Sequence, residues 1–223
     1  MDHERARFTT GTDRFGPLSA VFNPTGLGYS IVMGTPNREE ALSLLEQYTK
    51  TENLRAHAKA VEAVMRHFAT RYGEDPEKWG TIGLVHDLDW EMYPEEHCTK
   101  TTEILHEQNW PEEYIRAIRS HAWGMFTDDK PEHPMEKVLY TIDELTGLIT
   151  ATALVRRSKS ILDMKPKSIK KKWKEKSFAA GANRELIAAG AEMMGEPLDD
   201  VIAETLTGMQ AVADDLGLAG EGD

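Results

Sequence analysis

The sequence predicts an all-α fold, and three observations carry that prediction. Leu54, Ala58, Val61, Met65, Phe68 and Tyr72 recur at alternating spacings of four and three, the period of one helix face. Prolines at 36, 76, 111 and 134 stand where helices would start, and Gly73 and Gly195 stand where they would end. Beyond Tyr29–Met33, no stretch alternates apolar and polar residues as a half-buried strand does.

Residues 1–34 read as an irregular extension. Gly11, Gly16, Gly26, Gly28 and Gly34, with Pro17 and Pro24, leave no helical period. Met33 lies directly before the first helix, so a natural start at Met33 is one expectation, to be settled by the mass of the native protein.

From there the chain reads as consecutive helices. Thr35 is the expected cap of a first helix opening at Pro36, with Glu39 and Glu40 favourable near the positive end of its dipole. Ala41, Leu44, Leu45 and Tyr48 form its apolar face. A second runs from about Glu52 to Tyr72, and Gly73 ends it. Pro76 opens a third, which carries Ile82, Leu84 and Val85 up to His86-Asp87. A fourth covers about Glu96 to Gln108, and a fifth leads from Pro111 to His121. The longest runs from Pro134 to Arg157. After a lysine-rich linker come two more amphipathic helices, near Asn183–Met194 and Leu198–Leu216. The domain reading is therefore an extension over 1–34, a helical domain over 35–160, and a basic linker with C-terminal helices packing on it over 161–223.

Composition narrows the class. The chain has 223 residues, 40% hydrophobic and 29% charged, ordinary for one globular core. No apolar run approaches the roughly 18–20 residues of a membrane span, and the N-terminus has no apolar leader, so a cytoplasmic protein without a membrane partner is expected. The net charge of -12 disfavours a nucleic-acid polymer as partner. One cysteine, Cys98, allows neither an internal disulfide nor a multi-cysteine zinc site.

Histidines and aspartates carry the chemistry. His57 sits at the edge of the second helix's stripe, His86-Asp87 ends the third helix, His97 begins the fourth and His121 ends the fifth. Asp143 lies among Leu139, Ile142, Leu145 and Leu148, where a carboxylate is costly without a cation or donor beside it. Singly, each is more often a cap or a packed side chain. Imidazoles and carboxylates brought together from packed helices, however, are what a metal needs. His67, His106 and His133 read as surface or packing residues, and the Lys165–Lys176 run as a solvated face.

The order His57, His86-Asp87, Asp143 resembles the H…HD…D signature of the HD superfamily, over about residues 50–157. Leu54-Arg55-Ala56-His57 and Gly83-Leu84-Val85-His86-Asp87 match how those domains read, and Ile142-Asp143-Glu144-Leu145-Thr146-Gly147 is similar to a bacterial HD or HDIG subgroup. The resemblance implies an HD-domain helical bundle with additional C-terminal helices. It implies one or two divalent ions (Fe, Mn, Mg, Ni or Zn), the first held by His57, His86, Asp87 and Asp143. His97 and His121, sharing Asp87, would complete a second. Many members carry a lysine three positions after the HD aspartate, where this chain has Trp90. Lys100, Arg156 and Lys159 are the candidate replacements for phosphate contact.

The implied function is metal-dependent hydrolysis of a small phosphate ester or nucleotide. A bound ion lowers the pKa of water from about 15.7 toward roughly 7, so that hydroxide is the nucleophile. Asp87 sits at the metals, and Lys100 serves catalysis as well as substrate binding. Asp89 or Glu91 would act as base or as an outer orienting group. The alternatives are a di-iron HD-type oxygenase and a non-catalytic HD signalling module. Intact ligands argue against the last.

Overall fold

A computed structural model describes residues 20–21, 30–31 and 35–220. The chain divides into two units, Met1–Thr35 and Pro36–Asp223. In the first, β1 (Ala20–Val21) pairs antiparallel with β2 (Ser30–Ile31), Ala20 opposite Ile31. Two residues of the expected Tyr29–Met33 strand thus do pair, while Met33 lies outside the described residues.

The second unit is all-α, with two isolated bridges, Trp123 to Thr127 and Ser160 to Ala219, among its described residues. Its helices are α1 (Arg38–Tyr48), α2 (Glu52–Tyr72), α3 (Pro76–Val85), α4 (Thr99–Glu107), α5 (Glu112–His121), α6 (Pro134–Leu154), α7 (Pro166–Trp173), α8 (Arg184–Met194) and α9 (Leu198–Gln210). No helix among them is long and apolar enough to cross a membrane.

Local chemistry sets the ends. Asn37, not Thr35, caps α1: its side chain accepts the Glu40 N–H while the Glu40 carboxylate takes the Asn37 N–H. That reciprocal pair is stronger than a lone hydroxyl cap and leaves Pro36 outside the helix. Gly73 and Gly195 close α2 and α8 at φ 72°, as expected. The expected fourth helix starts late, because Pro94–Glu96 forms a separate 3-10 turn and leaves His97 and Cys98 between the two. The lysine-rich stretch is not a plain linker, since α7 forms there and buries Ile169.

The core lies between α2, α3, α5 and α6, with α8 against α6 and α9 against α2. Met65, Phe68, Ile82, Leu84, Ile118, Leu139 and Ile142 are fully enclosed. Each such side chain contributes about 1.5–3 kcal/mol by leaving water. Close approach of α3 to α2 depends on Gly83, where a Cβ would stand 3.0 Å from Met65 Cγ and 3.2 Å from the Glu62 backbone. Buried Glu62 is held by Arg38 at 2.6 Å and Arg66 at 2.9 Å, which ties α1 to α2. These contacts present the end of α3, with His86 and Asp87, to the middle of α6.

Candidate metal centre

His57 comes from the inner side of α2 and Asp143 from the facing side of α6. Their Nε2 and Oδ1 atoms are 2.9 Å apart. His86, at the end of α3, places Nε2 3.4 Å from the same Asp143 oxygen and 3.5 Å from Asp87 Oδ2. One ligand atom from each of these four residues falls within 4.8 Å of the others. Asp87 Oδ2 also lies 3.9 Å from His57 Nε2.

The other oxygen of Asp87 faces a second set. Asp87 Oδ1 is 3.6 Å from His97 Nε2 and 3.4 Å from His121 Nε2, and those two nitrogens are 3.1 Å apart. Asp87 therefore stands between two imidazole pairs, with one carboxylate oxygen turned to each.

All four rings present the same nitrogen. Nδ1–H donates to Gly83 O from His86 (2.8 Å), to Ile118 O from His121 (2.5 Å) and to Asp89 Oδ1 from His97 (2.8 Å). In His57 it faces Thr146 Oγ1 at 3.4 Å, whose own hydroxyl donates to Asp143 O. With Nδ1 so engaged, Nε2 of a neutral ring carries a lone pair, and here it points at carboxylate oxygens. Lone pairs facing lone pairs require a cation between them, a proton or a metal. His86 Nε2 is fully buried and has no hydrogen-bond partner. The donor set fits a divalent ion in the His57, His86, Asp87, Asp143 group, and a second beside His97 and His121.

Electrostatics point the same way. Burial opposes charging of His57, yet the hydrogen bond and charge of Asp143 raise its pKa. Burial also works against His97, and the hydrogen bonds to Asp89 and Cys98 lift it to about 9. His121 is likewise raised against burial by Cys98 and Asp87. Burial opposes ionisation of Asp143, yet the hydrogen bond to His57 and the nearby His57 and His86 imidazoles hold it well below the carboxylate range. Asp87 is lowered in the same manner by the charge of His86 and the hydrogen bond to His121. A proton or a metal ion can occupy such positions, and a metal that bound there would release the protons.

The sequence-predicted contacts around this centre fare unequally. Asp89 is fully buried and faces away from the cavity. Its Oδ1 takes His97 Nδ1–H and its Oδ2 takes the Thr101 N–H at 2.8 Å, so it orients His97 and has no access to a substrate proton. Glu91 turns to the start of α2, accepting from Lys50 N, Thr51 N and Thr51 Oγ1. Lys100 lies on the surface, paired with Glu103 at 2.8 Å and Glu96 at 3.4 Å, and Arg156 is paired with Asp163 at 2.8 Å. Neither of these, nor Lys159, lines the cavity over the centre. Glu96 and Glu103, one turn either side of Lys100, were the signal that it would be claimed locally. His67 is a partly exposed packing residue, its Nε2 meeting Glu204 Oε2 of α9 at 2.6 Å.

That cavity holds about 460 Å³ and is lined by Leu54, Trp90, Met125, Phe126 and Glu144 besides the candidate ligands. Two residues were missed. Glu144 follows Asp143 and lines the wall, where burial and the neighbouring charge raise its pKa. Cys98 lies buried beside the second pair, 3.6 Å from His97 Nε2, in a left-handed conformation at φ 63°. Its thiol is lowered although burial opposes it, chiefly by the charge of His121. Adjacency to His97 was the one hint in the sequence.

The chain matches no family model, no curated protein and no solved structure.

Proposed function

We propose that this chain is an HD-type, metal-dependent phosphohydrolase acting on a small phosphate monoester. One observation carries the reading: the two oxygens of Asp87 are divided between two imidazole pairs, 3.5 Å from His86 Nε2 on one side and 3.4 Å from His121 Nε2 on the other. His57, His86, Asp87 and Asp143 would hold one divalent ion, and Asp87, His97 and His121 a second. Such ions, when bound, supply a water of lowered pKa and a positive charge for the phosphoryl oxygens.

The chain's own residues do the rest. His86, His97 and His121 are fixed through Nδ1, which keeps the centre from relaxing as charge develops. In the reaction, water adds to phosphorus, the P–O bond to the alcohol breaks, and one proton passes from the water to the departing alkoxide. Glu144, in the wall beside Asp143 and outside the imidazole set, is the carboxyl we assign to that proton.

The test is metal analysis of protein purified without added metal, followed by phosphate release from a panel of monoesters. Two ions per chain and metal-dependent release are expected. A metal-replete protein that releases phosphate from none of them defeats the reading. A second reading, oxidation of an organic substrate at two irons, is favoured by the lack of lysine and arginine among the described residues lining the cavity. Iron in the protein as purified, with oxygen uptake on substrate addition and no phosphate release, would select it.

A further inference from the structure

The cavity above the centre has a polarity of its own. Its lining combines the carboxylate and imidazole group with Leu54, Trp90, Met125 and Phe126. Three of these are unusually open to solvent for their size: Trp90 is 40% exposed, Met125 52% and Phe126 45%. The rings are arranged as a corner. Trp90 meets His97 edge-on at 5.0 Å between centroids and Phe126 at 6.4 Å, while Phe126 meets His97 at 5.1 Å. Apolar rings held open beside a polar centre are what a binding pocket looks like before its ligand covers them.

Charge completes the description. Among the described residues, the lining contains no lysine or arginine, and Glu144 adds a further acidic group. A substrate extending from the centre into this space finds aromatic rings and a thioether, and no lysine or arginine among the described lining residues to meet a second anionic group.

Resting on the phosphohydrolase reading, we infer that the part of the substrate beyond its phosphate is flat, apolar and uncharged, and is received in the corner formed by Trp90, Phe126 and Met125. Trp90 and Phe126 are specificity residues in this scheme. They select the leaving group, while the phosphate is held at the centre.

Binding, rather than turnover, tests this. The probes are phenylphosphonate, methylphosphonate and 4-carboxyphenylphosphonate, titrated calorimetrically into protein loaded with the metal that metal analysis finds in it. Stacking of one flat ring on an aromatic side chain corresponds to about tenfold in affinity. Phenylphosphonate should therefore bind about tenfold tighter than methylphosphonate, and a carboxylate on the ring should cancel most of that gain. Trp90→Ala and Phe126→Ala should each reduce the preference for phenyl and leave methylphosphonate affinity within about threefold, with unchanged circular dichroism because both rings are half exposed. Equal binding of phenyl- and methylphosphonate, no binding of either, or a preference that survives in both variants would overturn the inference. Phosphate release from any monoester judges the parent reading separately. Release without a phenyl preference sinks only the specificity, and a phenyl preference without release sinks only the hydrolase.

Discussion

Asp89 holds His97: its Oδ1 lies 2.8 Å from Nδ1 of the imidazole, and both side chains are buried. The other Asp89 oxygen is anchored by the Thr101 N–H of α4 at 2.8 Å, so the carboxylate links the start of α4 to the ring. Such a partner fixes which nitrogen carries the proton and leaves Nε2 free to bind.

Asp89→Asn tests that link. An amide cannot accept from both the imidazole and the Thr101 N–H without turning its own donor toward one of them. The second ion should bind about 10–100-fold more weakly, the size typical of losing a ligand's hydrogen-bond partner. The first ion should be retained. Competition with a chelating dye measures both, and unchanged affinity at both positions would remove the orienting role.

Asp87→Ala should abolish binding of both ions, because the one carboxylate placed between the two imidazole pairs is lost and the repulsion between two cations goes uncompensated. The helical circular dichroism should persist, since the α2 and α6 cores supply the burial energy. His106→Ala is the matched control: it is exposed, pairs with exposed Glu112, and should change neither property.

His67→Ala separates packing from chemistry. Its contact with Glu204 joins α2 to α9 at 2.6 Å, and its removal should cost about 1 kcal/mol. Metal content should be normal. Urea unfolding checks the first statement and elemental analysis the second.

Glu91 predicts a pH effect. Hydrogen bonds from the Thr51 and Lys50 backbone lower its pKa. A carboxylate with a lowered folded-state pKa adds stability that is complete above its unfolded pKa and vanishes as pH falls through the folded one. Glu91→Gln should therefore lower the melting temperature near neutrality and flatten its fall between about pH 6 and pH 3. Parallel acid limbs for the two proteins would show that the contact adds no stability.

Gly190 marks the crossing of α8 and α6. A Cβ there would overlap Thr141 Oγ1 and lie 2.9 Å from Thr141 Cβ. Gly190→Ala gains about 1 kcal/mol in helix propensity but forces the helices apart at a cost of about 1–3 kcal/mol. A lowered urea midpoint is expected, and a raised one would mean that the crossing yields easily.

The amino-acid order by itself determined the helices. Each apolar stripe and each Pro or Gly boundary is a local property, so α2, α3, α5, α8 and most of α6 were legible from the chain. The order His57, His86-Asp87, His97, His121, Asp143 was equally legible, and all six side chains converge. Only the tertiary structure decided which neighbours share that centre. Helical periodicity tells which residues share a face, but not what that face meets. Asp87 and Asp89 are two positions apart and look alike in sequence, yet the turn after α3 sends one between the imidazole pairs and the other inward to His97 and Thr101. Long flexible cations are still less specified: Lys100 and Arg156 are held by Glu96, Glu103 and Asp163, while Trp90 and Phe126 stand at the cavity. Which side chain reaches a site depends on how the helices cross, and that is set by packing between segments distant in the chain, such as Gly83 against Met65.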